Sequence, residues 1–179
     1  MNSAPTLTQD YFGFFGLPPK LTLNSADLQT RFYSLSRQFH PDRFARRAPA
    51  EQEYALNATA LLNDAYRVLR DPIQRAEYLL AQQGFDIGEQ RSNDVPPELL
   101  EEVFELNMLL EESPSKEELE AARTKFHRMM AAIDGELQSL FHQYDATAGD
   151  KSVLQRIRGV LNRRRYVQNL VRDVEKAIA

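Results

Sequence analysis

Two apolar-striped runs separated by His40-Pro41-Asp42 constrain this chain of 179 residues more than any other feature. On the near side Leu28, Phe32, Leu35 and Phe39 recur at steps of four, three and four, the spacing that lines one face of a helix. On the far side Ala58, Leu62, Ala65, Tyr66 and Leu69 repeat that kind of spacing, so a second amphipathic helix can return and bury the first. Pro41 disfavours helical backbone at His40 and ends the first helix there. The pattern predicts an antiparallel helical hairpin with His40 and Asp42 presented on the loop at its tip.

That tip is basic. Between positions 31 and 47, Arg31, Arg37, Arg43, Arg46 and Arg47 face a single acid, Asp42, which suits docking on an acidic partner surface. Charge is unevenly spread elsewhere: the net is +1 over residues 1–85, −10 over 86–122 and +5 over 123–179. An acidic middle between more basic parts argues against a nucleic-acid partner, which would require a concentrated positive field. With no cysteine, the chain has no disulfide framework, thiol nucleophile or thiolate metal site. Its three histidines, His40, His127 and His142, lie far apart, so neither a metal nor another cofactor is expected. His40 and Asp42 make an unconvincing acid–base dyad because no nucleophile or pocket accompanies them, and the chain is not expected to be an enzyme. No apolar stretch approaches the ~20 residues that span a bilayer, so no membrane role is expected. Met1 to Gln9 carries no positive charge and no apolar run, which leaves the cytoplasm as the expected location, in a bacterium or in a protein whose presequence has been removed.

Along the chain, Asp10 can cap a short helix running through Leu17 and ended by Pro18-Pro19, and Asn24 or Ser25 can cap the first hairpin helix. Asp71-Pro72 starts a further helix that Gly84 can close. From Phe85 to Pro97 the composition turns to Asp, Gly, Ser, Asn and Pro, the signature of a connection. Three helical patterns follow, over roughly 96–112, 115–145 and 150–178, which predict an antiparallel three-helix bundle. The reading is an all-α chain of two parts, residues 1–84 and 97–179, joined by a linker at 85–96. The first bundle helix carries two apolar lines, Leu99, Val103, Leu106 and Leu110 beside Leu100, Phe104 and Met108; one line can face the core while the other stays open. Arg163-Arg164-Arg165 reads as a solvated face of the last helix, which could also border the open line of the first bundle helix.

His40-Pro41-Asp42 after a basic helix, followed by Leu62-Asn63-Asp64-Ala65-Tyr66-Arg67-Val68-Leu69-Arg70-Asp71-Pro72, resembles the J-domain of DnaJ-type co-chaperones. The run Asp10-Tyr11-Phe12-Gly13-Phe14-Phe15-Gly16-Leu17-Pro18 is similar to the opening of the HscB branch of that family, and the passage from Arg75-Ala76-Glu77-Tyr78-Leu79-Leu80 to Gly84-Phe85-Asp86 resembles the one that leads to its second, helical domain. The resemblance covers nearly the whole chain and implies a two-part, L-shaped co-chaperone of iron–sulfur cluster assembly. It implies that His40, Pro41, Asp42, Arg31, Arg37 and Arg43 engage the DnaK-like ATPase HscA and stimulate its ATP hydrolysis. Leu99-Leu100-Glu101-Glu102-Val103 resembles the family pattern that binds the scaffold IscU. The implied contacts are Leu99, Leu100, Val103, Phe104, Asn107, an acidic rim at Glu111, and Tyr166 on the last helix.

Phe104 and Asn107 depart from the family pattern, standing where acidic residues are usual, so the implied contact is more apolar and less charged. The alternative reading is a general J-protein that passes unfolded clients to DnaK. Against it, the chain lacks a Gly/Phe-rich linker and zinc-binding cysteines. Animal and some other eukaryotic HscB relatives carry an added cysteine-rich module that is not found here, which favours a member from the bacterial cytoplasm, and a monomer is the expected state.

Overall fold

The structure, a computed structural model, describes residues 7–85 and 96–179. Most of the anticipated connection at 85–96 and the first six residues of the N-terminal stretch lie outside the described residues. Among the described residues all regular structure is helical, and the chain divides into two compact units, Met1–Gln82 and Gln83–Ala179.

In the first unit, α1 (Tyr11–Phe14) is capped by Asp10, whose carboxylate accepts from the N–H groups of Phe12 at 3.1 Å and Gly13 at 3.2 Å. The helix stops at Phe14 rather than continuing to Leu17, and the terminator is Gly16, not Pro18-Pro19. Gly16 turns the chain at φ +65°, while Leu17 N–H bonds to Phe12 O at 2.9 Å and Gly16 N–H to Gly13 O at 3.0 Å. This is a Schellman closure, for which glycine carries little steric cost.

Asn24, not Ser25, caps α2 (Ser25–Phe39), accepting from Asp27 N–H at 3.0 Å. The return helix α3 (Pro49–Leu69) starts well before the stripe at Ala58, with Pro49 at its first position and Glu51 reaching back to Ala48 N–H at 3.1 Å. Its buried stripe, Ala55, Ala58, Leu62, Ala65 and Leu69, packs on α2, where Leu28 and Phe39 are buried. Phe32 and Leu35 are only half-buried, and the Phe32 ring stacks on Tyr66 with centroids 4.2 Å apart.

Asp71 caps α4 (Pro72–Gln82) through the N–H groups of Ile73 and Gln74, at 2.8 and 3.0 Å. Arg75 on this helix is buried. Its Nε donates to Leu21 O at 3.0 Å and its guanidinium to Leu69 O at 2.7 Å, so one cation ties α4 to the segment before α2 and to the end of α3. Asp10 adds a second tie: it accepts from Gln82 at 2.9 Å, and Tyr11 N–H donates to the Tyr78 hydroxyl at 2.9 Å.

In the second unit α5 (Leu100–Glu111) follows a 3₁₀ turn at Pro97–Leu99. Two long helices come next, α6 (Lys116–Ala146), with Ser115 and Glu118 forming a reciprocal capping box, and α7 (Lys151–Ile178), capped by Asp150. Pairs of Arg163 with Glu136, Arg164 with Asp134 at 2.7 Å, and His127 with Glu175 at 3.4 Å run in opposite chain directions, as an antiparallel α6–α7 hairpin demands. Arg163 also approaches Glu98 at 3.8 Å, so Arg163 and Arg164 link elements of the bundle rather than forming a free solvated face. Leu106 of α5 clusters with Phe126 of α6 and with Leu170 and Val174 of α7. With Glu98 beside Arg163, α5 therefore runs parallel to α7. Lys125 of α6 pairs with Glu102 at 2.5 Å and lies 3.8 Å from Glu105, joining α6 to α5.

Arg75→Met should destabilise the first unit by about 2–4 kcal/mol, because two carbonyls lose a charged donor; denaturant unfolding of the full chain followed at the tyrosines measures this. Lys125 is held above the ordinary lysine value of 10.5, first by its hydrogen bond to Glu102. A raised folded-state value means that the pair's stabilisation is complete below the ordinary lysine value and is lost as pH rises through the folded one. The melting-temperature advantage of the native chain over Lys125→Met should therefore be present at neutral pH and shrink once pH rises past the ordinary lysine value.

Candidate functional site

At the hairpin tip α2 ends where Pro41 demands it. His40 leaves helical space at φ −57°, ψ 130°, and Pro41–Phe44 forms one 3₁₀ turn. Asp42 N–H donates to His40 Nδ1 at 3.2 Å, and Arg43 N–H to His40 O at 3.0 Å. An Nδ1 that accepts has no proton, so in the neutral ring Nε2 carries it and is the donor. The Asp42 carboxylate is 3.6 Å from Nδ1 and 92% exposed; the His40 side chain is 56% exposed. The pair is thus presented outward on a turn whose backbone is closed by its own hydrogen bonds.

Side chains that carry no sequence signal hold this turn. Thr59 on α3 donates to Phe39 O at 3.2 Å, the last carbonyl before His40. Gln52 donates to Ala45 O at 3.2 Å and Arg47 O at 3.0 Å. Both look like ordinary helix residues in the sequence, and only the return of α3 beside the tip gives them a task. Arg43 donates to Arg37 O at 3.3 Å.

The basic residues separate into two groups. Arg31 is turned inward, 3.0 Å from Asp27 and donating to Phe15 O at 3.0 Å, where it holds the end of α1. Arg37, Arg43, Arg46 and Arg47 are exposed, and among the described residues none of them pairs with a carboxylate. These four, rather than Arg31, provide the positive surface beside His40-Pro41-Asp42.

In the second unit Leu100, Phe104 and Met108 are 54%, 64% and 46% exposed, whereas Leu106 is 3% exposed. Leu99 is only 2% exposed, which corrects its place among the surface contacts: the 3₁₀ turn points it into the core. Val103 is half-buried against the Leu106 cluster, and Asn107 and Glu111 are exposed. Tyr166 is half-buried on α7, one turn from both Arg163 and Leu170, the residues that face α5. No group of His, Cys, Asp and Glu among the described residues is arranged to hold a metal ion.

Comparison with known proteins accounts for both units. Residues 10–78 match the DnaJ domain and residues 95–175 the HSCB C-terminal oligomerisation domain. The chain is 40% identical over 139 residues to the co-chaperone protein HscB homolog of Vibrio vulnificus strain CMCP6, and 39% identical to that of strain YJ016, covering 77% of each chain in both cases. Among solved structures, the chaperone HscB from Vibrio cholerae superposes with a TM-score of 0.66 at 31% identity, over 93% of this chain and 96% of that one. The human co-chaperone protein HscB superposes with a TM-score of 0.74 at 27% identity, over 97% and 84%. An all-α fold, an exposed His-Pro-Asp turn and relatives of this identity lead to one conclusion: the chain belongs to the HscB family of J-domain co-chaperones, which serve chaperones of the DnaK type in iron–sulfur cluster assembly.

Proposed function

We propose that this protein couples the scaffold IscU to the ATPase HscA in the bacterial cytoplasm. The first unit docks on HscA through His40, Pro41 and Asp42, with Arg37, Arg43 and their neighbours steering the approach to an acidic surface. It thereby stimulates ATP hydrolysis. The second unit holds IscU on the outer face of α5, with Leu100, Val103 and Phe104 as apolar anchors, Asn107 and Glu111 at the edge, and Tyr166 of α7 alongside.

The observation that carries this reading is the apolar face of α5, with three large side chains about half or more exposed, in a chain that also presents an exposed His-Pro-Asp turn. A contiguous exposed apolar strip on a small bundle marks a binding surface, whereas scattered single residues would not. Two surfaces on one chain raise the effective concentration of client beside ATPase, so modest individual affinities suffice. Engagement of the ATP-bound chaperone alone would make hydrolysis release the co-chaperone after the client is captured.

HscA turnover with this protein, with and without IscU, tests the proposal. His40→Gln should leave the circular dichroism spectrum and IscU binding unchanged and abolish the stimulation, because the side chain is exposed and has no packing role. Stimulation of HscA or DnaK that ignores IscU would instead favour the general J-protein. The double variant Leu100→Ala and Val103→Ala should weaken IscU binding about tenfold or more. Turnover without IscU reports the first unit separately, and unchanged IscU affinity in the double variant would remove the assignment of α5.

A further inference from the structure

We infer that the client surface is a continuous ridge, Leu100–Phe104–Met108, which adds Met108 to the residues assigned by family resemblance and takes a scaffold face that is apolar opposite Phe104 and Met108 and basic only at its margin. This rests on the reading of α5 as the scaffold-binding helix.

Burial on α5 supplies the first argument. A helix on a three-helix bundle needs one stripe for the core, and Leu99, Val103, Leu106, Leu109 and Leu110 supply it, either buried themselves or packed against the Phe126–Leu170–Val174 cluster. Leu100, Phe104 and Met108 take no part in that cluster. Spaced four apart, they fall within an arc of about 80° and a length of about 12 Å, so they form one ridge rather than isolated exposed side chains. Met108 is 46% exposed, close to the 54% of Leu100, so nothing distinguishes it physically from the residues already counted as anchors.

Charge supplies the second. From residue 92 to 115 the chain has no lysine or arginine, and α5 and its C-cap carry Glu101, Glu102, Glu105, Glu111 and Glu112. Glu102 and Glu105 are engaged by Lys125. Glu101, Glu111 and Glu112 are exposed and, among the described residues, have no basic side chain within ion-pair distance. The centre of the ridge, where Phe104 and Asn107 stand, is uncharged. A complementary partner buries apolar groups at the centre and places cations at the edge.

Calorimetric titration of IscU from the same organism, at low and high salt, tests this with Met108→Ala, Phe104→Glu and the double variant Leu100→Ala/Val103→Ala, each checked for native helicity. Met108→Ala should raise Kd about fivefold, and Phe104→Glu more than about tenfold at both salt concentrations. If both single variants stay within about twofold of native while the double variant weakens binding, the extended ridge is overturned and the α5 assignment stands. If none of the three moves Kd, both fall.

Discussion

The first unit depends on α2 stopping at His40. A helix that ran on would carry its basic face away into solvent, and α3 would have nothing to close against. Pro41 prevents this by excluding helical backbone at the residue before it, and the 3₁₀ turn at Pro41–Phe44 absorbs the reversal. Once the chain has turned, the alanines of the α3 stripe, Ala55, Ala58 and Ala65, let the two helices approach closely. Thr59 and Gln52 then hold the carbonyls on either side of the turn. The same break that makes the hairpin also leaves His40 and Asp42 outside it.

The buried guanidinium of Arg75 plays the corresponding part at the other end of the hairpin. A cation removed from water must be hydrogen-bonded, and carbonyls at Leu21 and Leu69 satisfy that need only if α4, the end of α3 and the segment before α2 meet in one arrangement. Arg75 therefore selects a geometry as well as stabilising it. Arg31 acts similarly toward the end of α1, which is why this arginine of the basic helix serves an internal contact.

In the second unit the decisive fact is a mismatch of length. At 12 residues α5 spans about 18 Å, while α6, at 31 residues, spans about 46 Å. A short helix laid on a long hairpin buries one side, here through Leu106 with Val103, Leu109 and Leu110 beside it, and leaves the opposite side open. The open side is therefore a consequence of the packing, and Leu100, Phe104 and Met108 make it apolar.

Much of this was legible in the sequence. The hairpin and its break, the caps at Asp10 and Asp71, the three bundle helices and the two apolar lines on α5 all follow from spacing and local backbone preference, which act over a few residues. Other features depended on what the folded chain brings near. Periodicity cannot tell which of two adjacent stripes faces inward, so Leu99 went to the core and Leu100 to the surface only when α6 and α7 took their places. Nor can composition show that Arg31 and Arg163 serve internal contacts, or that Thr59 and Gln52 brace the tip. Local steric and helical rules are written residue by residue, whereas burial and pairing are properties of neighbours distant in the chain, and tertiary structure alone supplies those neighbours.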